Sequence, residues 1–224
     1  MAEKTLWYLE NIDVASIFCP RKMNMAQDAL QHRQFRKKEY IYVQHDDADK
    51  VYLLTEGRVR IGTYNTSGKE ITKAILTKGE VFGELAVMEE GKRSDFACAI
   101  EQTTVCILLV DEMRRLMREH NGINVFFMRL MGSRLLEMEH RLESLVFKDS
   151  RSRIIELLAD IVVKRGQRIG DEYVVRNFIT HKDIASLTAT SRQTVGSVMN
   201  ELRDKNIIAF DRRQLLIRDL EQLK

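Results

Sequence analysis

Between residues 35 and 110 the apolar side chains come in short segments that turn signals interrupt. Residues 40–43, 51–54 and 59–62 are rich in β-branched and aromatic side chains. The intervening turn signals are Asp46-Asp47, Glu56-Gly57, Ser67-Gly68, Lys78-Gly79 and Glu90-Gly91. Strands that recur every 8 to 12 residues or so indicate a small barrel or roll.

Over residues 111–148 the apolar positions change to a helical period. Six of them follow one another at a/d heptad spacing, and we call them the seam: Met128, Met131, Leu135, Met138, Leu142 and Leu145. Because this stripe is narrower than the apolar face of a globular helix, we predict a coiled coil between two copies of the chain. A single amphipathic helix packed on its own domain is the alternative. Phe126, Phe127 and Leu130 lie off the seam and are predicted to pin the helix to the β-domain.

The last third of the chain reads as a helix, a loop over residues 166–170, a short strand, two helices and a hairpin over residues 207–217. Thr180 with Asp183, and Thr190 with Gln193, form two sequence signatures of a helix N-cap. A turn at residues 188–189 separates the two helices. Two short capped helices joined in this way predict a helix-turn-helix, although a plain two-helix hairpin in a core is the alternative.

Polar side chains at the start of the second helix are candidates for reading DNA. Arg192 can donate two hydrogen bonds to guanine, Gln193 can pair with adenine, and Ser197 lies one turn further on. The residues predicted to bind phosphate are Thr180, His181, Lys182, Ser191 and Thr194. A polar, cation-bearing exposed end argues against a purely structural hairpin.

Composition and charge agree with this interpretation. A hydrophobic content of 44% and a charged content of 31% are ordinary for a globular protein. The net charge of +3 falls entirely after residue 148, where 14 Lys and Arg face 11 Asp and Glu. A DNA-binding module has this bias, because phosphate contacts need cations.

Several other classes of protein are not favoured. The longest apolar run has six residues, 105–110, and no signal peptide is evident, so we expect a cytoplasmic protein with no membrane partner. Cys19, Cys98 and Cys106 are too few and too widely spaced for a disulfide framework or a zinc site, and we expect buried or half-buried thiols.

Three segments together resemble one family, the cyclic-AMP receptor protein (Crp/Fnr) family of bacterial transcription regulators. They are residues 82–86 with Arg93-Ser94, residues 190–196, and the hairpin 207–217. The resemblance covers essentially the whole chain. It implies an α+β fold: a β-roll effector-binding domain over 1–110, a dimerisation helix over 111–148 and a winged helix-turn-helix over 149–224. Ala189 departs from the Gly that is common in this turn, and a non-Gly residue with positive φ is mildly strained.

The segment from Gly83 to Ser94 resembles the phosphate-binding cassette of this family. Gly83 lets backbone N–H groups approach an anion, and Arg93 supplies a planar fork for phosphate oxygens. Ser94 can donate a hydrogen bond, Glu84 can accept one from a ribose hydroxyl, and Leu85 completes the motif. The alternative is a turn with a surface Glu–Arg pair, worth under about 1 kcal/mol.

The end that would recognise the base departs from the family. Its adenine-contacting Thr and Ser correspond here to Met138 and Glu139. Met138 offers no strong hydrogen bond, whereas Glu139 can accept from the N1–H and amino group of guanine. The resemblance therefore implies cyclic AMP, with cyclic GMP as a possible ligand. Glu139 as a solvated helix residue, with the base elsewhere, is the alternative.

The motifs and the resemblance together predict a homodimeric regulator that binds palindromic double-stranded DNA and responds to a cyclic nucleotide through a hinge at residues 149–152. The resemblance alone implies contact with RNA polymerase. A vestigial cassette with ligand-independent DNA binding is the main alternative, and a signalling adaptor without DNA is another. No nucleophile–base pair, metal site or phosphate loop indicates an enzyme. The N-terminal segment contains only Cys19, so it cannot supply four thiolates to an iron–sulfur cluster.

Overall fold

A computed structural model describes residues 30–88, 91–211 and 214–223. The chain divides into two compact units, the first ending at Leu135 and the second beginning at Leu136. A β-rich first unit and a mixed second unit confirm the predicted α+β class. The finer division into three domains stays a prediction.

Eight antiparallel strands form the β-roll of the first unit. They are β1 Leu30–Phe35, β2 Tyr40–Tyr42, β3 Lys50–Glu56, β4 Arg58–Tyr64, β5 Glu70–Thr77, β6 Val81–Phe82, β7 Phe96–Ala99 and β8 Thr103–Leu109. One sheet has the order β1-β8-β3-β6 and the other β2-β7-β4-β5. The segments predicted as strands at 51–54 and 59–62 lie in β3 and β4, and the one at 40–43 extends one residue past the end of β2.

The unbroken apolar run in β3 is explained by burial on both faces of its sheet. Val51 and Leu53 belong to one core, and Tyr52 and Leu54 to another. Because side chains alternate across a strand, a central strand between two cores needs apolar residues at every position. The second core lies between the two sheets, and the first lies between one sheet and the helices that follow.

Three helices cover that outer core: α1 Leu85–Met88, α2 Val110–Glu119 and α3 Asn121–Phe147. The single helix predicted over residues 111–148 is therefore wrong, because the chain is extended at His120. The Asn124 side chain donates to the Met117 carbonyl and supports the break. Phe126, Phe127 and Leu130 are buried in the outer core, which confirms that they pin α3 to the β-domain.

The second unit contains the C-terminal part of α3 and a four-stranded sheet with four helices. The elements are α4 Ser150–Arg165, β9 Gln167–Ile169, β10 Glu172–Arg176, α5 His181–Leu187, α6 Arg192–Asp204, β11 Ile208–Phe210, β12 Gln214–Ile217 and α7 Leu220–Leu223. The sheet order is β11-β12-β10-β9, and β11 and β12 form the predicted hairpin. The loop predicted over 166–170 is wrong, since β9 pairs with β10 around Gly170, whose φ is +63°.

No helix in the part of the chain that the structure describes is long and apolar enough to span a membrane.

Candidate functional site

The cassette is built where β6 runs into α1. Gly83 has a φ of +70°, which favours glycine over any side chain. A Cβ at this position would lie 2.9 Å from Arg93 Nη1 and 3.2 Å from the Lys50 carbonyl oxygen. The glycine is therefore required both for the backbone turn and for the close approach of Arg93.

Arg93 is 5% exposed, and its guanidinium is turned toward the protein. Nη1 donates to the Gly83 carbonyl at 3.0 Å, and Nη2 donates to the Lys50 carbonyl at 2.5 Å. The guanidinium carbon lies 4.5 Å from the ring centroid of Tyr42 and 5.7 Å from that of Tyr52. Nε is buried and has no hydrogen-bond partner among the described residues. The Nε–H group of Arg93 is thus a hydrogen-bond donor without an acceptor among the described residues.

Glu84 is 2% exposed and already has a cationic partner. Arg134 of α3 donates Nη1 to the Glu84 carboxylate at 2.5 Å and Nη2 to the Val81 carbonyl at 2.6 Å. Burial raises the pKa of the Glu84 carboxyl above its usual value, and the charge of Arg134 opposes that rise. A ribose hydroxyl would have to share or replace this contact.

The other predicted ligand residues are on the surface. Leu85 and Ser94 are exposed, and the Ser94 carbonyl accepts from the Thr63 hydroxyl at 3.3 Å. Met138 and Glu139, which belong to the second unit, are exposed on α3. Their roles in ligand binding stay predictions.

Sequence reasoning missed Arg134, Tyr42 and Tyr52. Arg134 is one of several charged residues between positions 134 and 143 that lie off the seam, and no local pattern distinguishes it from the others. The two tyrosines looked like ordinary strand residues. A further polar group joins them, since the Tyr42 hydroxyl donates to the Asp95 carboxylate at 3.2 Å.

The candidate DNA interface begins with two helix caps. Thr180 and Asp183 form the complete capping box that was predicted for α5. The predicted cap at Thr190 is wrong: α6 starts one residue later, and Ser191 accepts from the Thr194 N–H at 3.0 Å. The Thr190 N–H instead donates to the Ala185 carbonyl, which keeps Thr190 in the turn. Ala189 has the expected positive φ, +49°.

The structure separates the two faces of α6 as a reading helix requires. Val195, Val198, Met199 and Leu202 are buried. The exposed predicted residues are Thr180, Lys182, Ser191, Arg192, Gln193 and Ser197, whereas His181 and Thr194 are half-buried. The interface therefore presents its candidate base-reading side chains on one solvent-facing end.

His181 differs from its neighbours because its ring packs against the ring of Phe210 in β11, with centroids 5.8 Å apart. Burial, and then the nearby charge of Arg192, lower the pKa of His181 below 6.5. The imidazole is therefore neutral near pH 7.

Among the residues that the structure describes, the seam has few partners within the same chain. Met128, Leu135, Met138, Leu142 and Leu145 are exposed, and Met131 is partly buried against the outer core. Five large apolar side chains in one stripe are unusual on a helix that faces only water.

Within the described residues, no group of three or more His, Cys, Asp or Glu side chains could hold a metal ion. Cys98 and Cys106 are buried, as expected for thiols in a core. Cys19 lies outside the described residues.

Each of the two units contains a segment that matches a known family of domains. The model of the cyclic nucleotide-binding domain matches residues 32–120, and that of the Crp-like helix-turn-helix domain matches residues 152–224. The chain is 28% identical over 205 residues to the cyclic AMP receptor protein of Thermus thermophilus, with 92% of each chain covered. It is 29% identical over 200 residues to the global nitrogen regulator of Synechococcus elongatus, with 88% of this chain and 90% of that one covered.

A solved structure has the same fold. A CRP-family transcriptional regulator from Thermus thermophilus superposes with a TM-score of 0.70 at 27% identity, covering 85% of this chain and 94% of that one. The two matched domains stand in the order that the sequence motifs predict. The chain therefore belongs to the Crp/Fnr family of transcription regulators.

Proposed function

We propose that the protein is a cytoplasmic, non-enzymatic regulator that binds a palindromic operator as a homodimer under the control of a cyclic nucleotide. RNA polymerase is the partner through which bound regulator would act on transcription. The seam supplies the dimer contact, because its exposed apolar side chains need a covering partner.

One observation carries DNA recognition: the exposed end of α6 presents Arg192, Gln193 and Ser197. A recognition helix inserts its N-terminal side chains into the major groove. Ser191 and Thr194, with the N-cap Thr180 of α5 and its first residues His181 and Lys182, are the side chains that suit phosphate contacts.

Two features support ligand control at the cassette. Arg93 Nε has no partner among the described residues, and an anionic oxygen, which a phosphodiester supplies, would satisfy it once the guanidinium turned toward the ligand. Arg134 joins Glu84 to the helix that carries the seam, so a ribose competing for Glu84 would act on that helix. Cyclic AMP is the first ligand to test, since one relative is named for it, and cyclic GMP is the second because of Glu139.

Constitutive DNA binding is a second candidate, and it too has an observation in its favour. Arg93 already donates to two backbone carbonyls, and Glu84 already pairs with Arg134. Both Nη atoms of Arg93 and the Glu84 carboxylate thus have partners without a ligand, and Nε is the exception.

Operator selection from a random duplex library, followed by fluorescence anisotropy with and without each nucleotide, separates these functions. Ligand control predicts at least about tenfold tighter binding with one nucleotide, which corresponds to about 1.4 kcal/mol of coupling. Equal affinity in all samples would favour constitutive binding, and no enrichment of any duplex would contradict DNA binding.

Arg192→Ala tests base reading in the same assay. We expect a loss of about 1–3 kcal/mol on the selected operator and relaxed preference at one base pair. Arg168→Ala, which removes a cation from exposed β9, is the matched control and should leave the preference unchanged. Uniform weakening of Arg192→Ala on all sequences would assign it to phosphate only.

A further inference from the structure

Three side chains near the end of α3 converge on one carboxylate of α4. Ser144 Oγ donates to Glu156 at 3.0 Å, and Lys148 Nζ donates to it at 2.5 Å. His140 Nε2 lies 3.6 Å from the same carboxylate. Since the three residues are four apart, they lie along one face of the helical path. Ser144 is itself buried, although its neighbours on both sides are exposed.

A second set of contacts continues from this junction to the reading motif. Arg153 of α4 donates Nη1 to the Lys148 carbonyl at 2.7 Å and Nε to the Thr188 carbonyl at 2.9 Å. Its Nη2 also reaches the Ala189 carbonyl at 3.4 Å. The end of α3 is thus joined through one guanidinium to the turn between α5 and α6.

The connection itself leaves little freedom. Only Lys148 and Asp149 separate α3 from α4. The Lys148 N–H still donates to the Ser144 carbonyl, and Asp149 caps α4 by accepting from the Ser152 N–H at 2.7 Å. Arg151 of α4 also pairs with Glu201 of α6 at 3.2 Å. Together these contacts hold the connection between α3 and α4 in place. This connection includes residues 149–152, the segment predicted as a hinge, and we call it the corner.

We propose that Glu156 is a positioning residue for DNA binding: by holding His140, Ser144 and Lys148 it fixes the direction in which α3 leaves the reading motif. The inference rests on the proposed dimeric operator binding. In a two-fold symmetric dimer, an error in that direction at one corner is repeated at the other. Glu156 therefore sets how strictly the dimer requires one half-site separation.

The separation of half-sites is a sensitive measure of this direction. Moving one half-site by one base pair rotates it by about 35° around the duplex and shifts it by about 3.4 Å. A rigid corner discriminates strongly against such a change, whereas a loosened corner adapts to it. A merely stabilising contact would alter affinity on every spacing equally.

The experiment compares the full-length protein with Glu156→Ala and Glu156→Gln on the selected operator and on versions with one base pair inserted or removed between half-sites. Glu137→Gln is the matched control, because the ion pair that its carboxylate forms, with Arg141 at 2.9 Å, lies within α3. Each protein is measured by fluorescence anisotropy with the activating nucleotide, if any, at saturation. Thermal unfolding by circular dichroism establishes that every variant is folded.

We expect Glu156→Ala to reduce the preference for the correct spacing at least about threefold, a change of about 0.7 kcal/mol in relative affinity. Glu156→Gln should fall between it and the wild type, since an amide oxygen can still accept from Ser144. Glu137→Gln should keep the wild-type profile. If Glu156→Ala fails to fold, the profile of Glu156→Gln decides.

Two results would overturn the positioning role: an unchanged spacing profile in a folded variant, or a loss of affinity that is equal on all spacings. Both results are compatible with the proposed function, since the wild type still binds its operator. If the wild type binds no duplex, that result contradicts the proposed function and also the role of Glu156, which rests on it.

Discussion

The buried guanidinium of Arg93 depends on a residue that has no side chain. Gly83 leaves room for Nη1, and its carbonyl then accepts from that same nitrogen. Glu84, next in the chain, faces Arg134 instead. At the scale of single residues, the cassette depends on short contacts between its side chains and the backbone. Adding even one methyl group at Gly83 should therefore disturb it.

Gly83→Ala tests this directly. A positive φ costs a non-glycine residue about 1–2 kcal/mol, and the new Cβ also displaces Arg93. We expect a loss of unfolding free energy of about 2 kcal/mol or more by urea denaturation, with loss of nucleotide binding by calorimetry. Gly68→Ala is the control, because its φ is +75° but no atom lies within 4 Å of the added Cβ. Equal losses in the two variants would mean that Arg93 is not displaced.

His181 provides a pH-dependent test of the DNA interface. Its pKa is below 6.5 in the free protein, and a nearby phosphate would stabilise the imidazolium and raise that pKa in the complex. The complex then takes up a proton, so DNA affinity should rise as the pH falls through the pKa of the complex toward that of the free protein. His181→Gln should flatten this dependence in anisotropy titrations from pH 5.5 to 8. The same slope in wild type and variant would place His181 away from phosphate.

Free protein should show the opposite dependence in its stability. Because the folded-state pKa of His181 is lowered, its neutral form favours folding. That stability is complete above pH 6.5 and is lost as the pH falls through the folded-state pKa. The two opposite signs distinguish a DNA contact from a change in folding.

Among the elements, α6 shows that two candidate caps can compete. Thr190 and Ser191 are both good N-cap residues, but the Ser191 hydroxyl receives the Thr194 N–H. The seam of α3 shows a different principle, since most of its apolar side chains are exposed in the part of the chain that the structure describes. In each of the two helices, the effect of a substitution at the important residue can therefore be compared with that of the same substitution at the adjacent residue.

Ser191→Ala should lower the unfolding free energy by about 1 kcal/mol, because the Thr194 N–H loses its acceptor at the helix end. Thr190→Ala is the control and should change it by less than about half that amount. Urea denaturation of both variants gives the comparison. A larger loss for Thr190→Ala would restore the cap that the sequence predicts.

Leu135→Asp should dissociate the dimer, because it places a charge in the apolar seam. Leu136→Asp is the matched control: Leu136 is 62% exposed, close to the 59% of Leu135, but lies off the seam. Sedimentation velocity at micromolar concentration should give a monomer for the first variant and a dimer for the second. A dimer in both would reject the seam as the dimer contact.

At the scale of the whole molecule, the proposed control is a coupling free energy between nucleotide and DNA. Such coupling is reciprocal by thermodynamic necessity, whatever path it takes. If a nucleotide tightens DNA binding tenfold, saturating DNA must tighten nucleotide binding tenfold. Calorimetric titration of nucleotide into free and DNA-bound protein measures this. Unequal factors would show that a third equilibrium, such as dimer dissociation, is involved.

Local chemistry explains which features the sequence predicted. The apolar run in β3, the heptad spacing in α3 and the Thr180–Asp183 cap each depend on residues within a few positions of one another. The short loop 166–170 was misread because β9 and β10 have few residues, and pairing with β12 stabilises β10. The break at His120 was missed because the apolar period continues across it.

Sequence alone determined the class of fold, the order of the parts and the helix-turn-helix, and it predicted Gly83, Glu84 and Arg93 as cassette residues. Tertiary structure decided what those residues contact. Arg93 reaches Lys50, 43 residues away, and Arg134 reaches Glu84, 50 residues away. Such pairs form only when the folded chain brings distant segments together, and no short-range pattern specifies which of several cations will meet a buried carboxylate.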